Sequence, residues 1–125
     1  MPDVVESREN YLEIILLLSR KGPVRSVDVV EKSGYTKPSV SVAMHALEDA
    51  GYVTIDASRL IALTEAGEAI ARQVYKKHRY ITAYIMRTLN MDEEKAEIDA
   101  CKIEHFISDE MYEAIIKLVD ETDAN

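Results

Sequence analysis

Cys101-Lys102-Ile103-Glu104-His105 packs three side chains able to donate electron pairs into five residues. On a helix, positions i, i+3 and i+4 share one face, so Cys101, Glu104 and His105 converge as a sulfur, a carboxylate and an imidazole. That is a metal-ligand set of mixed softness. Glu97 lies four residues before Cys101 and Asp99 two before it. His78 follows Tyr75-Lys76-Lys77 on a separate long helix, and Asn10 and Glu13 sit at i, i+3 on the first helix. If those three helices meet, the six residues Asn10, Glu13, His78, Cys101, Glu104 and His105 surround one or two divalent ions. Plainer readings stand beside this one. A cysteine on an apolar helix face is commonly core, and a Glu–His pair is commonly a solvated face. A nucleophile made of Cys101 and His105 would lack oxyanion donors and an orienting third group on a rigid helix.

The elements that must position these residues are mostly helical. A first helix runs from about Val4 to Arg20, with Asp3 and Glu6 placed as a capping box, and Lys21-Gly22-Pro23 stops it. Ser26 caps a short helix, Val27 to about Lys32, closed by Ser33-Gly34. Thr36-Lys37-Pro38 opens a third helix, with proline tolerated in the first turn, and Ala50-Gly51 ends it. Two β-favouring pieces follow, Tyr52 to Ile55 and Arg59 to Leu63, around a turn at Asp56-Ala57-Ser58. Thr64 caps a long helix toward Thr88, Asn90-Met91 breaks it, and Asp92 starts a helix expected to reach Ile107. Ser108, followed by two acids, caps a last helix to about Glu121.

The order helix, short helix, tight turn, helix, hairpin is the layout of a winged helix-turn-helix. Val29, Val30, Val40, Met44 and Leu47 form its expected apolar seam. Lys37, Ser39, Ser41, Val42 and His45 are left near the exposed first half of the third helix, the part that enters a major groove. Ser26, Thr36 and Pro38 flank them. Small hydroxyls and a lysine suit phosphates and base edges, and Val42 suits a thymine methyl. The plainer reading is a helical hairpin that packs on another surface.

Composition sets the limits. The chain has 125 residues, 47% apolar and 30% charged, enough to bury a core. Four glycines and no Gly-rich loop argue against phosphate-cradling nucleotide folds. The longest apolar run, Ile14 to Leu18, is far short of a membrane span, which needs roughly 18–20 residues. No leader pattern and a single cysteine point to a cytosolic protein. The net charge is −8, unevenly spread. Residues 20–64 carry six bases and five acids, whereas residues 65–125 carry eight bases and fourteen acids. The middle of the chain can approach phosphates; the flanks suit cations.

Several segments in order resemble one known family. They are Glu9-Asn10-Tyr11-Leu12-Glu13-Ile14-Ile15, Pro38-Ser39-Val40-Ser41, Leu63-Thr64-Glu65-Ala66-Gly67, Lys77-His78-Arg79, and the run from Asp99 through Cys101, Glu104 and His105 to Glu110. The chain is similar over nearly its whole length to the metal-dependent repressors of the diphtheria toxin repressor and manganese transport regulator family. The resemblance implies a mainly α protein: an N-terminal winged helix-turn-helix, residues 1–70, and a C-terminal helical metal-binding and dimerisation part, residues 71–125, with the long helix shared. Carried over by position, Cys101, Glu104 and His105 fall on the family's ligand helix, His78 on its long-helix histidine, and Asn10 and Glu13 on its first-helix ligands. Cys101 resembles the iron-responsive branch and Glu13 the manganese branch. Thr82 stands where iron-type members carry a glutamate, a place Glu97 could fill. The SH3-like domain of longer members has no counterpart among these residues.

What the resemblance implies is a cytoplasmic, homodimeric repressor of double-stranded operator DNA. It would be activated by iron(II) first or manganese(II) second, with no membrane partner, no small-molecule substrate beyond the ion and no enzymatic activity. The dimer is expected through Ile103, Phe106, Ile107, Met111, Ile115 and Leu118, unless these close each monomer's own core. Three rivals remain: a metal-independent winged-helix regulator with a degenerate site, a helical interaction module, and a thiol enzyme using Cys101.

Overall fold

In a computed structural model the chain forms two compact units, Met1–Gln73 and Val74–Asn125. The structure describes residues 4–123, with side chains from residue 7 onward. Asp3 and the Glu6 side chain, the expected capping box, lie outside what is described.

The first unit holds α1 (Val4–Ser19), α2 (Ser26–Ser33), α3 (Lys37–Asp49), β1 (Val53–Ile55), β2 (Ile61–Leu63) and the start of α4 (Glu65–Leu89). Tyr11 through Leu16 are all buried, so α1 is enclosed around most of its girth, as a helix at the centre of a core must be. It packs on α2, α3 and β2. The helix-turn-helix seam closes with Val29, Val40, Met44 and Leu47 buried and Val30 half-buried. Gly34, at φ 75°, sends its N–H back to the Val30 carbonyl and ends α2 in the left-handed conformation that favours glycine.

Arg25, not Ser26, precedes the first turn of α2. The Asp28 carboxylate accepts from the Arg25 N–H at 2.9 Å, and this acid fixes the helix start one residue earlier than the serine suggested. Thr36 caps α3 as expected, accepting from the Ser39 N–H at 3.3 Å.

β1 and β2 pair antiparallel, Val53 with Leu63 and Ile55 with Ile61. Asp56 holds the connecting turn by accepting from the N–H groups of Ser58 (2.8 Å) and Leu60 (2.9 Å). Val24 adds an isolated bridge to Ile61, whose N–H reaches the Val24 carbonyl at 2.8 Å. The hairpin is locked to α4 at one point. Thr64 accepts from Gly67 N–H at 3.2 Å and donates to the Gly51 carbonyl at 2.7 Å. Gly67 lies so near the Tyr52 carbonyl that a Cβ there would collide with it.

The second unit takes the rest of α4 with α5 (Glu93–Ile103) and α6 (Asp109–Asp123). Ile81 and Ile85 of α4, Ala96 and Ala100 of α5, and Ile115 and Val119 of α6 form its core, each pair one helical turn apart. Asn90, at φ 54°, ends α4, and Asp92 caps α5 by accepting from Lys95 N–H at 2.9 Å. Ser108 caps α6 by accepting from Met111 N–H at 3.0 Å. Arg87 ties α4 to the end of α6 by donating to the Val119 carbonyl (3.0 Å) and the Thr122 hydroxyl (2.8 Å), with an ion pair to Asp123 at 2.6 Å.

One helix ends early. The sequence pattern carried α5 to Ile107, but it stops at Ile103 with Glu104 as its C-cap. Phe106 N–H bonds the Ile103 carbonyl three residues back, a tighter step that turns the chain toward the Ser108 cap of α6. The apolar spacing of Ile103, Phe106 and Ile107 mimics a continuing helix and hides the turn.

Candidate metal centre and nucleic-acid interface

That early end shapes the ionisable cluster. Glu104 keeps helical backbone angles, and its N–H bonds the Ala100 carbonyl at 2.9 Å. The backbone relation of Cys101 to Glu104, i to i+3, therefore survives. His105 falls in the turn beyond the helix. Consecutive residues on a regular helix diverge by about 100° and do not face one another. Here the turn brings His105 Nε2 to 3.4 Å from Glu104 Oε1.

Glu104 is the hub of this unit's charged groups. It is 1% exposed. Its Oε2 lies 2.8 Å from His78 Nδ1, which α4 delivers, and its Oε1 makes no hydrogen bond among the described residues. The His78 and His105 side chains are themselves largely buried. Thr82 is buried one turn after His78 and donates to the His78 carbonyl at 2.8 Å. It steadies the backbone that carries the imidazole and has no carboxylate to offer an ion.

A carboxylate taken out of water is costly unless a cation faces it. A divalent ion held beside it is one such cation. A carboxylate with one imidazole nitrogen 2.8 Å from its Oε2 and another 3.4 Å from its Oε1 is a donor set whose chemistry suits a divalent transition metal of intermediate softness.

The other expected donors are placed as follows. Cys101, in the last turn of α5, and Glu97, one turn earlier, are both half-buried. In the first unit, Glu13 of α1 is 6% exposed, an unusual place for an acid among Leu12, Ile14 and Ile15. Asn10, one turn before Glu13, donates from Nδ2 to the Tyr35 hydroxyl at 3.3 Å.

The DNA-reading residues form a separate surface. Ser26, Thr36, Lys37, Pro38, Ser39, Ser41, Val42 and His45 are all exposed, Val42 to 71%. Val40, Met44 and Leu47 point to the opposite, buried side of α3. Some polar capacity is already used: Thr36 donates to the Ser39 hydroxyl at 2.9 Å, and His45 stands 3.9 Å from Glu48.

Two residues to which the sequence reading gave no site role belong with this surface. Tyr35 stands in the turn before Thr36, its ring 5.5 Å from that of Tyr11. Burial first, and then the neighbouring Tyr35 phenol, raise the Tyr11 phenol above its ordinary pKa. Arg25 donates to the Ser58 carbonyl at 3.1 Å, linking the start of α2 to the hairpin turn. The aromatic in a turn between two polar helix ends was the available signal for Tyr35. Arg25 carried none, because its partner is a backbone carbonyl 33 residues away.

Comparison with known proteins identifies what the chain is similar to. Residues 64–125 match the family described as iron dependent repressor, metal binding and dimerisation domain. Residues 9–57 match the IclR helix-turn-helix domain. The diphtheria toxin repressor of Corynebacterium efficiens is 31% identical over 125 residues, covering 97% of this chain and 53% of that protein. An HTH-type transcriptional regulator of Methanocaldococcus jannaschii, itself uncharacterised, is 31% identical over 112 residues and is covered to 90% of its length. The solved structure of the manganese regulator SloR superposes with a TM-score of 0.79 at 31% identity, over 90% of this chain and 53% of that one. The chain thus spans about half the length of the diphtheria toxin repressors it matches.

Proposed function

The chain belongs to the diphtheria toxin repressor and manganese transport regulator family, and from that premise we propose that it is a transcriptional repressor whose operator binding is activated by a divalent transition metal. Iron(II) is the first choice and manganese(II) the second. The supporting observation is Glu104, a buried carboxylate with one oxygen against His78 and the other without a hydrogen bond. His78, Glu104 and His105 are the proposed core of the site. Glu13, Cys101, Asn10 and Glu97 are the further donors proposed for it. A bound ion would supply fixed positive charge beside the Glu104 carboxylate.

What the chain's own residues do follows from their environment. Glu104 holds both imidazoles in place. Thr82 fixes the backbone at His78 through its carbonyl. Lys37, Ser39, Ser41, Val42 and His45 of α3 read operator DNA, with Ser26, Thr36 and Pro38 beside them. Ordering the protein around an ion biases it toward the arrangement that fits two half-sites, a population shift in which metal and DNA strengthen each other's binding by the same factor. A coupling of about 1–3 kcal/mol makes DNA binding metal-dependent by roughly 5–150-fold.

Homodimerisation is part of the proposal. Ile115 closes the second unit's core and Ile107 packs against it, whereas Ile103, Phe106, Met111 and Leu118 are exposed. Phe106 is 68% exposed, and an apolar surface of this kind marks an interface. No helix among the described residues is long and apolar enough to cross a membrane, and the proposed location is the cytoplasm.

The test is binding to a promoter-fragment pool at fixed salt, first with chelator and then with iron(II) or manganese(II) under anaerobic conditions. Binding that needs metal and is lost in His105→Ala supports the proposal. Equal binding with chelator and with metal leaves a winged-helix regulator that does not sense metal. No salt-dependent DNA binding at all removes the DNA function.

A further inference from the structure

Tyr35 joins three parts of the first unit: the end of α2, α1 and the entrance of α3. Its backbone N–H donates to Ser33 Oγ at 3.1 Å, at the end of α2. Its hydroxyl accepts from Asn10 Nδ2 at 3.3 Å, on α1. Its ring stands 5.5 Å from that of Tyr11, tilted at 59°. Tyr11 is buried, and it lines a shallow cleft with Ser7 of α1 and Pro38, Ser39, Val42 and Ala43 of α3. The next residue after Tyr35 is Thr36, whose hydroxyl caps α3. Tyr35 is thus fastened at its backbone, its ring and its hydroxyl, one residue before the cap of the helix whose first half carries Lys37, Ser39, Ser41 and Val42.

We infer that Tyr35 is a positioning residue for the DNA-reading helix. It is a strap, tied to α1 through Asn10, that sets where the entrance of α3 sits. The carboxamide at position 10 suits this task. Its N–H donates to the phenol while its carbonyl oxygen remains for another partner. Because Glu13 lies one turn further along α1, whatever holds α1 in place is passed through Asn10 and Tyr35 to the start of α3. The inference rests on the DNA-binding reading above and deepens it.

The test is a double-mutant cycle in the full chain, using Tyr35→Phe, Asn10→Ala and the pair. Tyr35→Phe keeps the ring against Tyr11 and removes only the hydroxyl. Operator-fragment affinity is measured by fluorescence anisotropy with manganese(II) saturating, at a temperature where circular dichroism shows every variant folded. Manganese(II) affinity is measured separately, without DNA, by electron paramagnetic resonance. Each single change is expected to weaken DNA binding about fivefold, the worth of one hydrogen bond of roughly 1 kcal/mol, with the pair no worse than either. Tyr35→Phe is expected to leave manganese(II) affinity unchanged.

Unchanged DNA affinity in both single variants overturns the strap. So does a Tyr35→Phe effect that persists in the Asn10→Ala background, which makes Tyr35 a direct DNA contact. Failure of the wild type to bind any operator fragment overturns the DNA-binding reading and the strap with it. Only the first two results leave that reading standing.

Discussion

The two candidate surfaces are built by opposite means. On α3 the reading face is regular helix with every named side chain in water, and its geometry follows from 3.6 residues per turn. Around Glu104 the groups are buried and the helix has just ended, so the geometry follows from a turn. An exposed face costs little to keep and can change residue by residue. A buried carboxylate demands its partners, so His78, Glu104 and His105 must stand or fall together.

Met44→Ala is the strongest probe of this contrast, because it attacks the hidden side of the exposed helix. It should destabilise the protein by about 2–5 kcal/mol, read by chemical denaturation. Glu104→Gln comes next: it keeps the shape and removes the charge, and should weaken manganese(II) binding by about 10–100-fold in titration. An unchanged affinity would break the comparison, since Glu104 would then be only a buried partner of His78. Thr36→Ala removes the α3 cap and should cost about 1 kcal/mol in the same denaturation experiment. Val42→Ala should be the mildest, within about 0.5 kcal/mol of wild type in stability. It should still weaken operator binding, which separates the two faces of one helix.

The same contrast explains what the sequence made legible. The caps at Thr36, Thr64, Asp92 and Ser108 were readable because a small polar side chain before an apolar period has one local job. The helix-turn-helix seam was readable from spacing alone. The early end of α5 was not, because Ile103, Phe106 and Ile107 keep helical spacing through a turn. The same spacing put Cys101, Glu104 and His105 on one helix face. It thereby missed that His105 approaches Glu104 from the adjacent position in the chain. Arg25 replaced Ser26 at the start of α2 because an acid three residues on decided the matter. The Val24–Ile61 bridge, one residue long, leaves no pattern to read.

Ala96 and Ala100 have no exposed surface, and each contributes one methyl group to the helix-to-helix contact of the second unit. A survey of every substitution along α5 should therefore give a sharply striped tolerance map. Lys95, Ile98, Asp99 and Lys102 are exposed and free to vary in charge and size, while positions 96 and 100 admit little beyond alanine, glycine and serine. Over long descent this stripe lets the surface of the segment drift while the helix bearing Cys101 keeps its place.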